Sequence, residues 1–230
     1  KTDSVSALGM AVTPSNQLYY GTIHGKVYRL DNADKTTSIP TEITGASFPK
    51  NAYVSCIAVD PKDGNSAIVV FSNYNVVSVF ATTDGGTTWT AIAGNLEQSP
   101  NGTGAGPSCR WVKILPVGGT NIYYIATSTG VYSTGYLNGV NTVWEQEGSS
   151  VIGNVVVDMI DARASDGMVV AATHGNGIFS ASVTAPPAVP AAPLLVSPAK
   201  DSVNILPTQT FSWQPVAGAV YYQLQVSKSE

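Results

Sequence analysis

The chain has 230 residues, of which only 11% are charged, with a net charge of −4, 22 glycines and 14 prolines. Its eight lysines and three arginines are scattered, so there is no basic stripe for a phosphate backbone and nucleic acid is not expected as a partner. No apolar run reaches the roughly eighteen residues of a membrane-spanning helix, and Val, Ile, Thr and Tyr in short alternating runs predict an all-β fold with almost no helix.

The first predicted strands cover residues 7–13 and 17–22, and a third ends in Val27-Tyr28. The same unit returns at 54–60, 67–71 and Val79-Phe80, then at 110–115, 121–127 and Val131-Tyr132, and finally at 155–160, 168–173 and Ile178-Phe179. The aliphatic-aromatic pairs are about 52, 52 and 47 residues apart. One small antiparallel sheet per period is the signature of a β-propeller blade, because each sheet can bury its faces only against its neighbours. About four blades are therefore expected in residues 1–183. Fourth strands are readable at 89–92 and 143–146, whereas none is marked after Tyr28 and none fits after Phe179. Rings of up to eight blades are common, so these four read as the C-terminal part of a larger ring, with a closed four-bladed ring as the alternative.

Within the second unit stands Thr82-Thr83-Asp84-Gly85-Gly86-Thr87-Thr88-Trp89. The two glycines tolerate positive φ and let two strands turn back on each other. The Asp84 carboxylate can accept from backbone N–H groups one or two residues on, with Thr82 and Thr88 adding weaker local bonds, and Trp89 is placed to pack beneath the loop. This run resembles the Asp-box, or BNR repeat, of sialidase-like and sortilin-like propellers of secreted bacterial proteins. The resemblance implies a structural outer hairpin, formed by Thr82, Asp84, Gly86, Thr88 and Trp89, away from any reacting centre. Residues 170–179, with Thr173-His174-Gly175-Asn176-Gly177 at their centre, similarly resemble the closing blade of such proteins.

His174 and its counterpart His24 sit in glycine-bounded turns with no second ligand at metal spacing, so they read as turn residues, and no metal or cofactor is expected. Cys56 and Cys109 open the inner strands of successive units. Either they form a disulfide stapling adjacent blades or they stay two buried thiols, should the strands lie too far apart for a bridge.

Residues 184–193 are proline-rich and predict an extended linker. Beyond them, residues 194–230, with Phe211-Ser212-Trp213-Gln214-Pro215 and the run through Tyr221-Tyr222, resemble the first strands of a fibronectin type III domain, of which they would supply the N-terminal part.

The resemblance to sialidases implies an arginine cluster and a Tyr–Glu pair. The chain offers Arg29, Arg110 and Arg163, one per unit and at unequal positions, and no such pair is evident. A glucan-cleaving propeller of the xyloglucan hydrolase type would need two facing carboxylates, for which Asp60, Asp158 and Asp161 are the candidates, though turn roles suit them better. No catalytic residue is assigned. The expectation is a non-catalytic extracellular recognition or structural protein, secreted or at the cell surface, binding a glycan or protein or assembling with itself. The alternative is a glycoside hydrolase of the Asp-box propeller type. The opening residues carry no basic-then-apolar signal, so export would rest on a segment removed or lying upstream of Lys1.

Overall fold

The computed structural model describes residues 3–183, 193–206, 208–216, 222 and 224. It separates into two compact units, Lys1–Thr184 and Ala185–Glu230.

The first unit is a β-propeller array of four antiparallel sheets in chain order. Blade 1 comprises β1 (Val5–Met10), β2 (Leu18–Thr22), β3 (Val27–Leu30) and β4 (Thr41–Glu42). Blade 2 comprises β5 (Val54–Asp60), β6 (Asp63–Phe71), β7 (Val79–Thr82) and β8 (Thr90–Ala91). Blade 3 comprises β9 (Cys109–Val117), β10 (Thr120–Thr127), β11 (Gly130–Thr134) and β12 (Glu145–Glu147). Blade 4 has three strands, β13 (Val157–Arg163), β14 (Met168–Thr173) and β15 (Ile178–Ser182). The only helical turns among the described residues are 3₁₀ turns at Gly94–Leu96 and Gly139–Asn141.

Register explains the period. Within each blade the aliphatic member of the repeated pair lies in the row facing the next blade, and the aromatic member in the row facing the previous one. Ile57, Val69 and Phe80 form one such cross-strand row of blade 2 and are buried against Ala7, Tyr19 and Val27 of blade 1. Cys56, Val70 and Val79 form its opposite row, buried against Val112, Ile114 and Ile125 of blade 3. Leu115, Tyr124, Ala126 and Val131 of blade 3 meet Val157, Ile160, Val169 and Ala171 of blade 4 in the same way. At roughly 25 cal/mol per Å² of apolar surface, these three interfaces supply the dominant stabilising contribution. Close approach of the inner strands needs small residues: a Cβ at Gly21 would lie 2.3 Å from Val54 Cγ1, and one at Gly9 would lie 2.7 Å from the Ile57 carbonyl oxygen.

The two end faces are open. On blade 1 the row Leu8–Tyr20–Tyr28 corresponds to Ile57–Val69–Phe80, yet Leu8 is 64% exposed; on blade 4, Ile178 is 74% exposed.

Several boundaries differ from expectation. Strand β1 ends at Met10 because the chain turns inward and the Thr13 carbonyl accepts the Gly64 N–H. Strand β13 starts two residues late, after the Gly148–Gly153 turn, with an irregularity between Val157 and Met159. Blade 1 does have a fourth strand, β4, which no aromatic residue marks.

In the second unit, β16 (Leu195–Ser197) pairs antiparallel with β17 (Ser212–Trp213), and the Trp213 ring lies 5.4 Å from that of Tyr222. The proline-rich stretch falls outside the described residues except for Pro193, and much of residues 217–230 does also.

Candidate functional site

Four inner strands, β1, β5, β9 and β13, run side by side, and the loops where they begin surround a cavity of about 380 Å³. Strand starts and the ends of the second strands meet here, so each blade contributes two short segments to one rim. Tyr53 precedes β5 and Tyr74 follows β6; they are 42% and 59% exposed. The Tyr53 N–H is fixed by Asn73 Oδ1 at 2.6 Å, and Ser108 Oγ donates to the Ser72 carbonyl at 2.7 Å, which ties the blade 2 and blade 3 rims together. Trp111 of β9 forms part of the wall with Ser55, Ser72 and Ser108.

The charged centre of this cup is Arg110, whose Nη1 donates to Asp158 Oδ1 of blade 4 at 2.9 Å. His174 Nδ1 lies 3.2 Å from the other oxygen, Asp158 Oδ2. Both Arg110 and Asp158 keep about two fifths of their side-chain surface exposed, and His174 keeps 79%. Screening by water makes this a positioned hydrogen-bonding group more than a stabilising ion pair. His24 repeats the arrangement in blade 1, with its Nδ1 2.7 Å from Asp3 Oδ1.

The other candidates lie apart. Arg29 reaches outward, donating to the Gly85 carbonyl at 2.9 Å and to Asp31. Arg163 is paired with Asp166 in the turn between β13 and β14. The three arginines therefore do not converge. Asp60 is buried, accepting from the Lys62 N–H at 2.8 Å and from Asn121 Nδ2 of blade 3, which is a structural role. Asp161 binds Lys113 Nζ at 2.6 Å, and that hydrogen bond holds its carboxyl below the usual range. Asp158 and Asp161 line different cavities.

Away from the cup, Gly85 and Gly86 of the 82–89 hairpin have φ of +71° and +89°. Asp84 reaches further than expected: Oδ1 accepts the Thr88 N–H at 2.9 Å and Oδ2 the Thr88 hydroxyl at 2.6 Å. Thr82 Oγ1 accepts the Gly86 N–H at 3.0 Å and donates to Asp84 Oδ1 at 2.7 Å. The bonds from Thr88 hold the Asp84 carboxyl down at about 2. Trp89 does not pack beneath its own loop. Its indole N–H donates to the Ile43 carbonyl of blade 1 at 2.8 Å, and its ring packs on Phe48 at 5.1 Å. Trp144 of blade 3 does the same to blade 2, donating to the Ile92 carbonyl at 2.8 Å. Reading the sequence missed this second clasp because no Asp84-like turn precedes it.

Cys56 and Cys109 are two free, buried thiols, the second of the two alternatives and not a bridge. The strand offset explains it: Cys56 Sγ contacts the Val112 carbonyl at 3.6 Å, three residues past Cys109, or roughly 10 Å along an extended strand. Burial pushes both thiols up to about 12.

No family model and no curated protein matches the chain. Among solved structures it is similar to the Niastella koreensis GH74 enzyme, with a TM-score of 0.53 and 20% identity over 78% of this chain and 28% of that one. It is also similar to the Myceliophteria thermophila Cps50 (Swd1) β-propeller domain, with a TM-score of 0.49 and 10% identity over 91% of this chain and 57% of that one. The chain thus spans little more than a quarter of the first and over half of the second. At such identities the first likeness speaks to fold alone, and the fold is a β-propeller.

Proposed function

We propose that the protein is an extracellular propeller scaffold whose cup binds a glycan without cleaving it. The observation that carries this reading is the placing of Tyr53, Tyr74 and Trp111 around the Arg110–Asp158 pair in one cavity. Aromatic faces take the apolar C–H surface of a sugar ring, and a few convergent polar groups fix its hydroxyls, a combination common in small-ligand sites. A hydrolase would need a second carboxylate roughly 5–10 Å from the first. The carboxylates here are instead committed to Arg110, Lys113 or backbone donors.

On the same reading, the 82–89 hairpin is an Asp-box and residues 194–230 begin a fibronectin type III-like spacer, supported by the β16–β17 pair and Trp213 against Tyr222. The test is calorimetric titration of soluble plant and bacterial polysaccharides into the full chain and into Tyr74→Ala. Binding that falls at least about tenfold in the variant, at unchanged melting temperature and with no reducing sugar released, supports the proposal. Equal binding by both proteins overturns it.

A further inference from the structure

Blades 2 and 3 each close their outer edge with one device, and blade 4 carries the receiving half of that device without the inserted half. In the first two cases a short fourth strand follows a tryptophan, and the indole crosses to the preceding blade. There it meets the carbonyl of the residue opposite the repeated valine: Ile43, whose N–H donates to the Val27 carbonyl, for Trp89, and Ile92, whose N–H donates to the Val79 carbonyl, for Trp144. A tight turn then delivers a bulky apolar side chain into the slot, Phe48 in one case and Leu96 in the other.

Blade 3 presents the same receiving set to blade 4. Glu147 stands opposite Val131, and the turn from Gly148, closed by the Ile152 N–H donating to the Gly148 carbonyl at 2.7 Å, brings in Ile152. On the blade 4 side, Phe179 holds the place of Phe80 and Tyr132 in the repeat. Between them lies a mainly apolar cavity of about 290 Å³, lined by Glu147, Gly148, Val151, Ile152, Phe179 and Ala181 among others. Beside it β15 is an edge strand with exposed Ile178, Ser180 and Ser182. An unpaired edge next to an apolar pocket is the arrangement that accepts an added strand.

We propose that this slot is a strand-acceptor site. It takes an extended, tryptophan-bearing polypeptide segment lying outside residues 3–183, pairs it antiparallel to β15, and seats its indole against Ile152 and Phe179 with the ring N–H directed at the Glu147 carbonyl. The occupant's chemistry follows from continuity with the two filled slots, both of which hold an indole ahead of a short strand, Thr90–Ala91 and Glu145–Glu147.

The probe is a synthetic peptide with this chain's own residues 86–94, added to the full chain, with a Trp89→Ala version of the peptide as its control. The native peptide is expected to bind saturably at one site and to slow amide exchange along residues 178–182, while the alanine version binds at least about tenfold more weakly. Val151→Glu, on the exposed rim of the slot, should weaken peptide binding without changing the melting temperature. Equal binding by the two peptides, exchange protection elsewhere than β15, or free indole competing as well as the peptide would each overturn the proposal.

Discussion

Trp144 is where the inter-blade clasp is most fully buried, and truncating it separates the contributions of ring and N–H. The side chain is 2% exposed, its indole N–H donates to the Ile92 carbonyl at 2.8 Å, and its backbone N–H is held by Asn95 Oδ1 at 2.7 Å. Trp144→Phe keeps most of the packing but leaves the Ile92 carbonyl without its donor, an expected loss of about 1–3 kcal/mol. Trp144→Ala also empties the pocket between Ile92, Ala93 and Leu96, and large core truncations of this kind cost about 3–5 kcal/mol. Trp89 makes the same bond but is only half-buried, so Trp89→Phe should cost less than Trp144→Phe. Urea unfolding followed by far-UV circular dichroism measures all three, because the substitutions remove fluorophores. If Phe costs as much as Ala at position 144, or if Trp144→Ala loses under about 1 kcal/mol, the indole is not a clasp between blades.

Three further outcomes are expected. The Asp84 carboxyl is held at about 2 against an ordinary 3.8. The folded value is the lower one, so the hairpin gains from the carboxylate above pH 3.8 and loses that gain as pH falls towards 2. Amide exchange at Gly86 and Thr88 should accelerate over that window in the native protein and show no such step in Asp84→Ala. Cys56 and Cys109, with thiols pushed up to about 12, should resist iodoacetamide at pH 8 in the folded chain and both react in urea; a labelled native thiol contradicts their burial. Gly21→Ala should cost about 1–3 kcal/mol by overpacking, since its Cβ would fall 2.3 Å from the fully buried Val54. An unchanged melting temperature would place the two inner strands further apart.

The scaffold could be read from the chain because a strand covered on both faces must be apolar at consecutive positions. Val27-Tyr28, Val79-Phe80 and Val131-Tyr132 lie on strands that face a neighbouring blade on either side, so the dipeptide survives in every unit while the flanking residues drift. Fourth strands lack that constraint. Strand β4, Thr41–Glu42, is exposed at both residues, and only its backbone pairing with Tyr28 and Arg29 makes it a strand. Trp144 did carry a usable signal, an isoleucine 52 residues earlier that matches the 46-residue separation of Ile43 and Trp89, but the signal shows only once the clasp is known.

The cup was hidden for a different reason. Repetition fixes where the backbone turns, not which side chain stands at the rim, so a binding surface is written in the departures from the period. The position before the inner strand is Tyr53 in blade 2 and Ser108 in blade 3. Asp158, 48 residues from Arg110, has in Arg110 a partner supplied by a different blade. These residues meet only because four inner strands begin around one axis. That is why ring geometry, and not a local motif, brings two tyrosines, a tryptophan and an ion pair into a single cavity.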